Sequence, residues 1–148
     1  MPEKITPDRI AAAGFETVAE VSPVTRWIEV RTAEQAAVAG ALTETAIGIY
    51  FKDEFDNCGS PTPHRWFVLL ETAGEPIGRV AMCVPDRGMH RARYRVPFHT
   101  TGHRNANPHP EFDAEIAILG QAIGLEIPRN YQGHVLTEDE LRNPAPRM

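Results

Sequence analysis

The sequence predicts an α+β fold: an antiparallel sheet, built from a meander over about residues 65–98 plus a strand near 26–31, with helices packed on one face. Three observations predict it. The stretch RWFVLLE (65–71) is a compact apolar run of strand length. Ala73-Gly74-Glu75-Pro76 is turn chemistry, and it separates that run from a second one, Ile77 to Val84. Pro85-Asp86-Arg87-Gly88 turns the chain again, ahead of a third strand near His90 to Phe98. Connections this short imply antiparallel neighbours.

The remaining elements follow in order. Thr6-Pro7-Asp8 starts a short helix, with a capping hydroxyl, Pro at the first helical position and an acid in the first turn, and Gly14 stops it. Phe15 to Val21 alternates with strand period until Ser22-Pro23 breaks it, and RWIEVR (26–31) reads as the next strand. Thr32 and Gln35 form a capping box before a longer helix. In it Val38, Leu42, Ala46 and Ile49 fall on one stripe, and Gly40 and Gly48 weaken the helix or allow close packing. The helix fades near Phe51 into a polar loop, 52–63, whose acids Asp53, Glu54 and Asp56 read as a charged turn. Thr100 to Pro110 reads as a turn-rich loop. Phe112, Ile116, Leu119 and Ile123 repeat at helical spacing, and Gly124 and Pro128 end that helix. Thr137 with Glu140 caps a last short helix before a loose tail.

The 148 residues suit a single domain, 1–148, long enough to bury roughly 68–70% of its unfolded surface. Hydrophobic residues at 42% and charged residues at 24% give the profile of a soluble globular chain. No apolar run reaches the length of a membrane span and the N-terminus lacks a signal-peptide core, so no membrane partner is expected. Cys58 and Cys83 lack CxxC spacing and read as reduced thiols of a cytoplasmic protein.

The net charge of −5 argues against a protein that coats nucleic acid, but it is unevenly spread. Residues 1–86 carry −6, residues 87–109 carry +5 with no acid, and residues 110–148 carry −4. Within the basic segment Arg91, Arg93 and Arg95 alternate, so a strand there presents three guanidinium groups on one face, roughly 7 Å apart. Arg104 follows. Planar guanidinium forks at that spacing suit a phosphate- or carboxylate-bearing ligand. Pairing with the chain's own acids is the plainer use of the same face. Aromatic residues for base stacking are sparse, which disfavours single-stranded nucleic acid.

Four of the six histidines, His90, His99, His103 and His109, share this segment. His99 and His103, with His109 or Glu111 as the third ligand, have the composition of a site for zinc or another divalent transition metal, though their spacing matches no established template. A metal-free acid–base role for His99 or His103 is the alternative, since neighbouring Arg groups keep imidazole neutral at pH 7. Glu111 and Glu115, four apart on a helix, would orient or complete the site, or simply form a solvated face.

Three functional readings result. The first is a small enzyme acting on a small anionic substrate, with Arg91, Arg93, Arg95 and Arg104 binding the anion and His99, His103, Glu111 and Glu115 supplying the chemistry. The second is a non-catalytic binding or regulatory protein, homo-oligomeric or docked on an acidic protein surface through the same Arg/His segment. The third rests on topology: strand, helix and the hairpin RWFVLLETAGEPIGRVAMCV resemble the opening of a GNAT acyltransferase over residues 26–84. That resemblance implies a glycine-rich coenzyme A loop after the fourth strand. The stretch at that place here, HTTGHRNANPHPEFD, carries one glycine and two prolines.

Overall fold

The computed structural model describes residues 5–58, 64–85 and 98–142. Its elements run α1 (Pro7–Ala13), β1 (Glu16–Ser22), β2 (Thr25–Val30), α2 (Ala33–Thr43), α3 (Ile47–Cys58), β3 (His64–Glu71), β4 (Gly78–Pro85), β5 (His99–Gly102), a 3-10 turn (His103–Asn105), α4 (Asp113–Ile123), β6 (Asn130–Tyr131), β7 (His134–Val135) and α5 (Glu138–Arg142). Strands β1 to β5 form one sheet in sequence order, antiparallel throughout, and β6 and β7 make a separate hairpin. The fold is α+β, as the sequence predicts.

Local chemistry sets the helix ends. Thr6 Oγ1 accepts the Arg9 N–H at 3.2 Å, and Gly14 closes α1 in the left-handed conformation at φ 68°. Thr32 Oγ1 accepts the Gln35 N–H. Gln35 itself reaches back to the carbonyls of Ala13 and Gly14, so one buried amide caps α2 and ties it to the end of α1.

The long helix expected after Thr32 is two helices. Thr43 Oγ1 bonds the Ala39 carbonyl and meets Thr45 Oγ1 at 2.7 Å, while Glu44 turns left-handed at φ 51°. Hydroxyls that compete for backbone groups end α2 there. The phase resets, so Ile47 is buried and Ile49 is exposed, against the expected stripe. The polar loop expected from residue 52 is also corrected, because residues 52–58 are the last turns of α3. Ile47, Phe51 and Glu54 face inward from it. The two helices pack closely: a Cβ at Gly48 would lie 2.6 Å from the Ala36 carbonyl oxygen.

Alternation along the strands divides the core. Ile28, Val30, Trp66, Val68, Leu70, Ala81 and Cys83 face α1, α2 and α3. Trp27, Phe67, Leu69, Val80, Met82 and Val84 face the other way and meet Ile116 and Leu119 of α4. The helices therefore cover both faces and not one. The central strands are apolar on both sides, so both sides need a cover. The Trp27 indole N–H donates to the Glu115 carbonyl at 2.8 Å and anchors α4 there. On that face Arg65 grips the buried Glu29 with two bonds of 2.9 and 3.1 Å. Burial opposes ionisation of Glu29, but Arg65 and Arg31 outweigh it and hold the carboxyl below its ordinary value.

The third strand expected near 90–98 lies outside the described residues except for Phe98. The segment expected as a loop begins instead with β5, where β-branched Thr100 and Thr101 are buried beside β4. The edge strand β1 carries two bulges, and its Glu16 and Glu20 discourage edge pairing with another chain. Gly48→Ala is expected to lower stability by about 1–3 kcal/mol, measured by equilibrium urea unfolding, because the new methyl meets main chain that cannot give way.

Candidate functional site

The residues singled out in the sequence do not gather in one place. His103 Nε2 and Arg104 Nε share the Glu44 carboxylate, at 3.0 and 3.2 Å, which fastens the 3-10 turn to the α2–α3 corner. His109 is buried with both ring nitrogens engaged, Nδ1 on Asp113 at 2.5 Å and Nε2 on the Asn130 carbonyl at 2.6 Å. His99 stands at the start of β5. The metal site expected from His99, His103 and His109 is therefore not assembled: His103 and His109 are already committed to different partners. Among the described residues no group of three or more His, Cys, Asp or Glu side chains could hold a metal ion. Glu115 sits on α4, across the sheet from α3, and Glu111 is exposed in the turn before it. Arg91, Arg93 and Arg95 lie outside the described residues.

What the fold does build is a cavity of about 210 Å³ between the sheet and the start of α3. Its floor comes from strand register. Trp66, Cys83 and His99 are direct neighbours across β3, β4 and β5, and Ala81 with Thr101 forms the next row. Its wall comes from α3, through Ile47 and Tyr50. The Tyr50 and His99 rings meet edge to face at 6.4 Å. Its lining is mostly apolar with a few polar groups. A wider groove of about 540 Å³ runs between α4 and residues 124–129 on the other face, where His109 and Asp113 are bonded to each other.

Next to Trp66 lies a polar pair, one member of which, Glu54, the sequence predicts in a charged turn. Glu54 and His64 are both fully buried. Glu54 Oε1 accepts the His64 backbone N–H at 2.7 Å, and Glu54 Oε2 meets His64 Nδ1 at 2.9 Å. The His64 and Trp66 rings stack edge to face at 5.9 Å. One signal could have found Glu54. Ile47, Phe51 and Glu54 fall at i, i+4 and i+7, which is the inward stripe of a helix starting at 47.

This environment sets the chemistry. Burial, and secondarily the nearby His64, lower the pKa of His99 below its ordinary 6.5, so its imidazole is neutral at pH 7 and can accept a proton or a hydrogen bond. Burial, reinforced by Glu54, pushes the Cys83 thiol up to about 12. A thiol so protonated is no nucleophile. Trp66 and Tyr50 supply flat apolar contact.

No family model matches the chain, and no curated protein and no solved structure matches it.

Two outcomes test this geometry. His64→Leu removes the ring from Glu54 Oε2 and leaves the buried carboxylate only the backbone N–H of residue 64, at an expected cost of about 3–5 kcal/mol in urea unfolding. Adding Glu54→Leu should recover part of that loss. In a Cys58→Ser background, Cys83 should resist iodoacetamide at pH 8 in the folded protein and react once urea unfolds it.

Proposed function

We propose that the protein is a small-molecule enzyme whose substrate seats an apolar body in the cavity between α3 and the sheet, with His99 as the proton-accepting group. The observation that carries this reading is the partly enclosed, largely apolar cavity with a neutral imidazole in its lining. Thr101 and Asn105 add hydrogen-bonding groups around the same space. A neutral histidine in a dry, shaped pocket is suited to accept a proton from a substrate hydroxyl or from a bound water.

The anionic character of the substrate comes from the sequence. Arg91, Arg93 and Arg95 precede His99 by eight, six and four residues, and they are the groups proposed to hold a carboxylate or phosphate outside the apolar cavity. Arg104 is bonded to Glu44, which also takes His103.

A second reading is non-catalytic, with this surface docking a second copy of the chain. Ile49, 70% exposed, and Tyr50 beside the cavity favour it. Light scattering distinguishes the two, since docking predicts a dimer that Ile49→Lys dissociates.

The enzyme reading is tested with benzoate and phenyl phosphate beside uncharged benzamide, followed by protein NMR. Binding should shift the signals of Tyr50, His99 and Thr101, and Ala46→Leu should abolish those shifts by filling the cavity. The charged compounds should bind about tenfold tighter, an advantage lost on changing Arg91, Arg93 and Arg95 to Gln. Absence of any shift at millimolar ligand would overturn the reading.

The pH dependence has a definite sign. The folded protein disfavours protonated His99, so its contribution is complete above the ordinary value of 6.5. Stability and substrate binding should both decline as pH falls from 6.5 through the lowered folded-state value. His99→Gln should flatten that decline.

A further inference from the structure

His99 belongs to a strand of only four residues, β5, whose pairing with β4 runs from Cys83–His99 to Val80–Gly102. A strand so short has few main-chain bonds to fix its first residue. The fold supplies a second restraint from the other side. Asn130, 2% exposed, accepts the Thr100 hydroxyl on Oδ1 at 2.9 Å and donates from Nδ2 to the Phe98 carbonyl at 3.0 Å. Its one amide thus bonds the residues immediately before and after His99. The Gln132 N–H adds a bond to the Thr100 carbonyl at 3.1 Å.

Asn130 is itself fixed. Its backbone carbonyl receives His109 Nε2, His109 Nδ1 is on Asp113, and Arg129 Nη2 reaches the other Asp113 oxygen at 2.9 Å. A continuous set of bonds therefore runs from α4 through His109 and Asn130 to both sides of His99. The side-chain chemistry at position 130 is restrictive. It must offer an acceptor to a hydroxyl and a donor to a carbonyl at once, which an amide does and a carboxylate or an apolar group does not.

We infer that Asn130 is the positioning residue of the cavity, holding β5 so that the His99 ring stays against Tyr50 and Cys83. The inference rests on the proposed role of His99 for its functional meaning, but its structural content stands apart from any ligand. Strand alternation places Phe98 and Thr100 on the side away from the cavity, so Asn130 acts on His99 through the backbone without touching substrate.

The test follows the titration of each histidine ring by NMR in the full chain, in wild type, Asn130→Ala and Thr100→Val. Asn130→Ala should raise the His99 midpoint toward 6.5 while leaving His103 as in wild type, with near-ultraviolet circular dichroism from Trp27 and Trp66 retained. Thr100→Val, which removes one of the two side-chain bonds, should give a smaller shift in the same direction, and it decides the matter if Asn130→Ala does not fold. Where the proposed ligands bind wild type, Asn130→Ala should weaken them about tenfold. An unchanged His99 midpoint in the folded variants overturns the inference, and so does a common shift of every histidine, which marks general loosening. If benzoate and phenyl phosphate fail to bind wild type, the proposed function falls while the His99 titration still decides the role of Asn130.

Discussion

The buried pair of Glu54 and His64 is the constraint around which the candidate site is arranged. A carboxylate removed from water needs both oxygens occupied, and His64 meets both, one with its backbone N–H and one with its ring. Because Glu54 is in the last turns of α3 and His64 is the first residue of β3, the pair fixes where the helix lies against the sheet. That placement makes α3 a wall and leaves the cavity between its first turn and the Trp66–Cys83–His99 row. Its worth lies in specifying this arrangement, since an apolar pair of similar volume would cost less desolvation.

The sheet then keeps two kinds of chemistry apart. On the α1–α3 face are the cavity, a histidine kept neutral and a thiol kept protonated. On the α4 face are the apolar cluster around Trp27 and Phe67 and the ion pair of Glu29 with Arg65. β5 carries residues of both, because alternate side chains of one strand serve opposite faces. The C-terminal hairpin reaches this strand through Asn130, so a part of the chain with little core of its own bears on the cavity.

Much of the fold was legible because its signals are local. Thr6, Gly14, Thr32 with Gln35, and Thr137 with Glu140 act within a few residues of themselves, and each works as its spacing suggests. The β3–β4 hairpin was legible for the same reason. The α2–α3 break was not, because Thr43 and Thr45 end a helix only through a particular pair of hydroxyl contacts. The β6–β7 hairpin escaped notice although Gln132-Gly133, at φ 51° and 86°, makes the two-residue turn that hairpins favour. Its strands are two residues each, too short for any period to register.

The candidate site was the least legible part. His99 was singled out by its company in a basic, histidine-rich segment, yet its working neighbours, Tyr50, Trp66 and Cys83, come from three distant elements. His103 and His109, close in sequence and similar in chemistry, are taken by Glu44, Asp113 and the Asn130 carbonyl. The sequence by itself determined the α+β class, the strand meander, the helix caps and the uneven distribution of charge, since these depend on neighbours along the chain. Only the tertiary structure decided that α4 crosses to the second face, that Glu54 turns inward to His64, and that His99 faces a cavity while His64, His103 and His109 serve as fasteners. Those outcomes depend on which partner each buried polar group finds across the fold, and a polar side chain carries no record of that partner in its own sequence neighbourhood.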